Sequence, residues 1–154
     1  MLNRPLRHVT TTLFIVALAA TFANPALACS IYLCGGKTPT ICGTQGNDWI
    51  NGTDQDDVIM ALGGIDNIWG KSGDDTICGM SGTDYITGNA GNDLVAGQNG
   101  DDFVRGSWDN DQVFGGTEDD TLEGDDGTDG VNGKEGYDIC GSGETYAQCE
   151  YIDP

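Results

Sequence analysis

Positive charge and histidine are nearly missing from this chain. Of its 154 residues only 6 are Lys or Arg, against 25 Asp or Glu, and the single histidine is His8. So few cations exclude the usual partners of basic proteins, nucleic acid and anionic membrane surfaces. One histidine near the start excludes His-based triads and H-E-x-x-H metal sites, and no G-x-S-x-G elbow is present. Zinc is disfavoured too, because no C-x-x-C pair occurs. No catalytic constellation remains, so an enzyme is not expected. Bulky apolar residues are also scarce: the longest run, LFIVALAA at residues 13–20, is too short to span a bilayer. What the chain has instead is 25 Gly, more than twice the ordinary share.

Residues 1–28 stand apart. Arg4 and Arg7 give a basic start, residues 13–20 an apolar centre and Ala26-Leu27-Ala28 an A-x-A cleavage site, the pattern of a secretory signal peptide. An alternative makes Cys29 the lipidated cysteine of a bacterial lipoprotein, although Ala26-Leu27-Ala28 matches that signal poorly. From Cys29 onward the chain keeps 4 basic and all 25 acidic residues, a net charge of 4 − 25 = −21. A chain so acidic and so poor in apolar residues either stays disordered or folds on cations.

Order is written into the rest as a period of nine. Eleven consecutive blocks run from Gly43 to Gly141 without insertion or deletion, among them GKSGDDTIC, GMSGTDYIT, GNAGNDLVA and GQNGDDFVR. Position six is always Asp: Asp48, Asp57, Asp66, Asp75, Asp84, Asp93, Asp102, Asp111, Asp120, Asp129 and Asp138. Position one is Gly except at Ala61, and position four is Gly except at Gln55, Asp109 and Glu118. Position eight is Ile, Val or Leu throughout until Cys140. Glycine at fixed beats permits left-handed backbone, and β-branched residues at position eight favour extended chain. Each block therefore predicts a six-residue turn followed by a three-residue strand. Such a strand cannot bury its one apolar side chain alone, whereas stacked copies form a continuous file, the logic of a solenoid.

Stacking also places Asp above Asp, at roughly the 4.8 Å spacing of neighbouring strands. Uncompensated, such a file repels itself. Calcium, a hard cation that takes 6 to 8 oxygen ligands, suits a column of carboxylates and glycine-freed carbonyls. All eleven position-six aspartates are therefore candidate calcium ligands, and several ions are expected per chain.

These blocks resemble the RTX, or haemolysin-type, calcium-binding repeat, whose pattern is G-G-x-G-x-D-x-U-x. The resemblance covers residues 43–141 and implies an all-β parallel β-roll. Successive blocks would alternate between two short sheets, with one turn every eighteen residues and calcium between turns of like parity. Asp75 would then share ions with Asp93, and Asp84 with Asp102. These are the only pairs whose two turns both keep Gly at positions one and four, so binding is expected to be tightest there. The second Gly of the pattern survives only at Gly116, which leaves no block a full match, and the turns starting at Gly52, Ala61, Gly106 and Gly115 are the doubtful ones.

The flanks supply caps. Ile41 falls on the position-eight beat, so residues 29–42 form an N-terminal cap that includes a degenerate first rung. Residues 142–154 leave the beat and form a C-terminal cap, in which Tyr146, Tyr151 and Ile152 could fold over the last rung. Six cysteines in an exported chain suggest disulfides. Short loops favour Cys140 with Cys149 and Cys34 with Cys42, which leaves Cys78 and Cys29 over. Trp49, Trp69, Tyr85 and Phe103 all belong to odd-numbered blocks and should project from one sheet, either as a recognition patch for a protein or glycan or as rings half-buried among neighbours. An ice-binding face would need a regular outward ladder, which the position-five column Asn47, Ile65, Thr83, Asp101, Asp119, Tyr137 does not provide. The sequence thus predicts a secreted, monomeric or weakly associating calcium-binding protein with a structural or adhesive role.

Overall fold

The computed structural model describes residues 34–142, 145–149 and 151–153. The leader, its cleavage site and Cys29 lie outside the described residues. Among the described residues there is no helix, and so none long and apolar enough to cross a membrane.

Two seven-stranded parallel sheets make up the fold. One contains β1 (Ile41–Cys42), β3 (Val58–Gly63), β5 (Thr76–Ser81), β7 (Leu94–Asn99), β9 (Gln112–Thr117), β11 (Gly130–Glu135) and β13 (Thr145–Ala147), in that spatial order. The other contains β2 (Trp49–Asn51), β4 (Asn67–Ser72), β6 (Tyr85–Ala90), β8 (Phe103–Trp108), β10 (Thr121–Asp126), β12 (Ile139–Gly141) and β14 (Tyr151–Asp153). The chain crosses from one sheet to the other at every block, so odd strands stack on odd and even on even. The fold is the parallel β-roll that the resemblance to the RTX repeat implied.

Register follows directly from the period. Ile59 pairs with Ile77, Ile77 with Val95 and Val95 with Val113 in one sheet; Ile50, Ile68, Ile86, Val104, Leu122 and Cys140 align in the other. Position-eight side chains from both sheets point inward and form one contiguous core with Ala61, flanked by Ile41, Tyr146 and Cys149. Position-one glycines alternate with them on the inner face, for example Gly79 after Ile77. Between its two sheets a thin roll can bury only one bulky aliphatic side chain per block, each worth about 1.5–3 kcal/mol, so the turns must hold together by other means.

The strands are longer than expected. From β3 to β11 they run six residues, through position three of the following block, because turns of like parity stack closely enough for backbone pairing to continue past the glycine. Both ends also extend the roll. Ile41 pairs with Ile59 as a degenerate first rung. At the other end residues 145–153 do not simply lie across the last rung: β13 and β14 add to each sheet, placing Tyr146 beside Val131 and Ile152 beside Cys140 in register.

The Cys140–Cys149 disulfide forms as expected. The other expectation is corrected, because Cys34 bonds Cys78 rather than Cys42. Residues 34–37 double back, with Cys34 and Lys37 bridging each other, and cross the outer face of β3 and β5. There Cys34 is buried with Met60, Leu62 and Cys78, and Lys37 Nζ donates to Thr76 Oγ1 at 3.0 Å. Cys78, which points away from the main core, is thus covered by the N-terminal segment, and Cys42 is disulfide-bonded elsewhere. The two described bonds close sequence separations of 44 and 9, which in the chain-entropy relation stabilise by about 4 and about 2.6 kcal/mol. Thermal melts in saturating calcium should therefore show a larger loss for Cys34→Ser/Cys78→Ser than for Cys140→Ser/Cys149→Ser. Equal losses would place the role of the first bond elsewhere than in closing a long loop.

Candidate metal centre

Most turns curl their position-six Asp back under their own position-one glycine, as with Asp75 under Gly70 and Asp93 under Gly88. From Asp66 to Asp138 these side chains are buried. Oδ1 of each accepts the backbone N–H of the Asp eighteen residues earlier: Asp48 N–H donates to Asp66 Oδ1 at 2.7 Å, Asp75 to Asp93 at 2.8 Å, Asp84 to Asp102 at 2.8 Å and Asp120 to Asp138 at 3.0 Å. The column is therefore a hydrogen-bonded ladder that joins every turn to the next of like parity.

The second oxygen is left over. Oδ2 of Asp66, Asp75, Asp84, Asp93, Asp102, Asp111 and Asp120 is buried with no hydrogen-bond partner. An ionised, buried, unpartnered oxygen is costly. Beside each from Asp75 to Asp120 lies a cradle that only glycine leaves open. A Cβ on Gly88 would touch Asp93 Oδ2 and come within 2.9 Å of the Gly106 carbonyl oxygen of the next like turn; on Gly79 it would touch Asp84 Oδ2 and come within 2.9 Å of the Gly97 oxygen. Ala61 carries that methyl group, and Asp66 shares its turn, so this cradle is the most obstructed.

Electrostatics point the same way. Burial, reinforced by neighbouring aspartates, pushes the carboxyls of Asp75, Asp84 and Asp111 up to about 6, Asp93 and Asp120 to about 7 and Asp102 to about 8, despite the backbone N–H each accepts. Asp57 moves the other way: burial raises it, but donors on Thr53 and Thr40 outweigh burial and hold it below the usual carboxylate range.

The donor set fits calcium. Among the described residues no three His, Cys, Asp or Glu side chains gather as a metal cluster, so any ion must draw on backbone carbonyls as well as carboxylates. That is the oxygen-only, mixed coordination of a hard cation and not of zinc. The position-six aspartates from Asp66 onward, with position-one carbonyls of the next like turn, would hold it; a bound ion supplies the positive charge that the paired turns lack.

Two features escaped the sequence. One is a second ladder at position five, where the backbone N–H of Asp74, Asn92, Asn110 and Thr128 donates in turn to Oδ1 of Asp56, Asp74, Asn92 and Asn110. The excess of Asp and Asn in that column was its only signal. The other concerns position two, where the missing second glycine matters: Leu62, Lys71, Met80, Asn89, Gln98, Ser107, Asp125 and Lys134 all have φ between 69° and 99°. Side-chain-bearing residues are strained there by about 1–2 kcal/mol. Gln98→Gly, which completes G-G-x-G-x-D in its block, should raise stability by about 1 kcal/mol once the added freedom of glycine in the unfolded chain is deducted. Denaturant melts in calcium test this, and a destabilised variant would refute it.

The aromatic residues do share one sheet. Trp49 and Trp69 lie 5.6 Å apart, centroid to centroid, and Tyr85 stacks on Phe103 at 5.1 Å. The rings thus spend part of their surface on one another, yet Trp49 remains 76 % exposed and Trp108, which the sequence did not single out, 58 %. A shallow groove of about 610 Å³ runs between these two, lined also by Asn51, Trp69, Lys71 and Asn89.

A two-sheet parallel roll whose glycine-opened turns stack buried carboxylates is a calcium-binding solenoid. The model of the RTX calcium-binding nonapeptide repeat matches four times, over residues 43–77, 69–104, 79–113 and 105–140, and the chain belongs to that family. Comparison with curated proteins and with solved structures gives no match.

Proposed function

We propose that this is an exported, non-catalytic protein whose roll closes on calcium and which serves a structural or adhesive role outside the cell. The reading is carried by the unpartnered Oδ2 atoms of Asp66 to Asp120: a fold that buries this many carboxylates needs divalent cations to be stable wherever those groups are ionised. Coupling of binding to folding follows, since the paired turns exist only in the folded chain. The N-terminal leader pattern and the disulfides support export to an oxidising, calcium-rich compartment. Circular dichroism tests the coupling: strand signal should rise as calcium is added to the chelated protein, and no gain at millimolar calcium would sink it.

A second reading, recognition of a protein or glycan through the face bearing Trp49, Trp69, Tyr85 and Phe103, is favoured by the exposure of Trp49 and the groove it shares with Trp108. Screening extracellular proteins and a glycan array with the calcium-loaded protein and with Trp49→Ala tests it. An unchanged binding profile removes the face from consideration.

A further inference from the structure

The first two turns differ from all the later ones. Among the eleven blocks, Thr stands at position two only at Thr44 and Thr53. In both, the Thr backbone N–H and hydroxyl donate to Oδ2 of the turn's own aspartate: Thr44 to Asp48 at 2.6 and 2.9 Å, Thr53 to Asp57 at 2.7 and 2.9 Å. These oxygens are the counterparts of those left without a partner from Asp66 to Asp120. The backbone differs accordingly. In the third to ninth blocks positions two and four are both left-handed, as at Lys71 and Gly73 or Gln98 and Gly100, whereas Thr44, Gly46, Thr53 and Gln55 are not. With a left-handed residue at position two no hydrogen bond from that N–H to Oδ2 forms; with Thr in the right-handed half of the map the N–H points into the carboxylate. The G-x-x-G-x-D frame thus exists in two forms, one closed by its own threonine and one open.

We infer that the turns of residues 43–48 and 52–57 are sealed by threonine in place of a metal ion, so that Asp48 and Asp57 are not calcium ligands and bound ions are confined to the later turns. Resting on the calcium reading above, this assigns the N-terminal rungs a separate task. Two donors satisfy each carboxylate oxygen that calcium would otherwise take, and Thr40 Oγ1 donates to Asp57 Oδ1 as well. These rungs border the segment fixed by the Cys34–Cys78 disulfide, and they present Asp48 and Asp57 N–H groups to Asp66 and Asp75. They form a metal-independent edge on which the calcium-dependent turns can stack.

Bound calcium per chain at saturation, measured by equilibrium dialysis on the full-length protein, tests the assignment. Asp48→Asn/Asp57→Asn should bind as many ions as the unaltered chain, whereas Asp84→Asn/Asp93→Asn should lose at least one. If calcium binds but the first pair of substitutions removes as much as the second, this inference fails while the calcium reading stands; if the unaltered chain binds no calcium, both fail. Should Asp48→Asn/Asp57→Asn not fold, Thr44→Gly/Thr53→Gly keeps both carboxylates and frees the backbone to adopt the open form. Its calcium content should equal or exceed that of the unaltered chain, and a fall would show that the threonines serve an ion after all.

Discussion

Chelating calcium at about pH 8 should abolish the cooperative melting of this protein, and acidifying the chelated sample to about pH 5 should restore much of it. The sign follows from the buried aspartates. An exposed carboxyl titrates near 3.8, but Asp75, Asp84 and Asp111 are pushed up to about 6, Asp93 and Asp120 to about 7 and Asp102 to about 8. Their raised values mean that the fold favours the protonated form. That stabilisation is fully present below about pH 4 and is lost as pH rises through 6 to 8. At about 1.4 kcal/mol for each pH unit by which a carboxyl is raised, ionising these six inside the roll opposes folding by at least as much as the whole stability of a typical domain, about 5–15 kcal/mol. Calcium held at the carboxylates would reverse the preference; an ion present at 100 times its dissociation constant would contribute about 2.7 kcal/mol per site. The melting temperature should therefore depend steeply on calcium at about pH 8 and weakly at about pH 5. A chelated protein that grows more stable as pH rises over this range would refute the account, because its carboxylates would have to be compensated by something other than metal or protons.

The period of nine and the inward file at position eight were legible because each depends on residue type at a fixed beat, and the eighteen-residue stacking came from the resemblance to the RTX repeat. The strand lengths were not. Backbone pairing beyond position one depends on how closely like turns stack, and positions two and three carry no common side chain to announce it. The same holds for β13 and β14: they continue the sheets off the beat, with Tyr146 following Val131 by fifteen residues and Ile152 following Cys140 by twelve. An exposed sheet edge recruits extended chain through N–H and C=O groups alone. Cys34 with Cys78 was hidden for another reason. The path of residues 34–37 across the outer face brings together cysteines 44 residues apart, and loop length favours the nearer Cys42. Within the site the Asp column stood out, but whether each oxygen has a partner depends on the backbone hand at position two. Thr44 and Thr53 were visible as residues, not as donors.

Truncating the central file should destabilise more than truncating its edge, and far more than truncating an exposed side chain in a turn. Ile77 is fully buried, with Ile59 and Val95 above and below it in register and the other sheet's file opposite. Ile77→Ala removes three carbons from a space that neighbours cannot refill, because each rung contributes a single aliphatic side chain fixed by its own pairing. The expected loss is about 2–5 kcal/mol, against about 0.5–1.5 kcal/mol for Ile77→Val. Ile50 stands in β2, the end strand of its sheet, and has a paired neighbour on one side only. In a solenoid the energy lies in the interfaces between adjacent rungs, so Ile50→Ala should lose markedly less. Ile65, nearly half exposed, should change stability by no more than about 0.5 kcal/mol on truncation. Denaturant unfolding of the three alanine variants in saturating calcium, with the disulfides intact, measures the order directly. If Ile50→Ala and Ile77→Ala cost the same, the roll is not stabilised rung by rung, and the linear cohesion that ties core, aspartate ladder and metal into one unit would have to be abandoned.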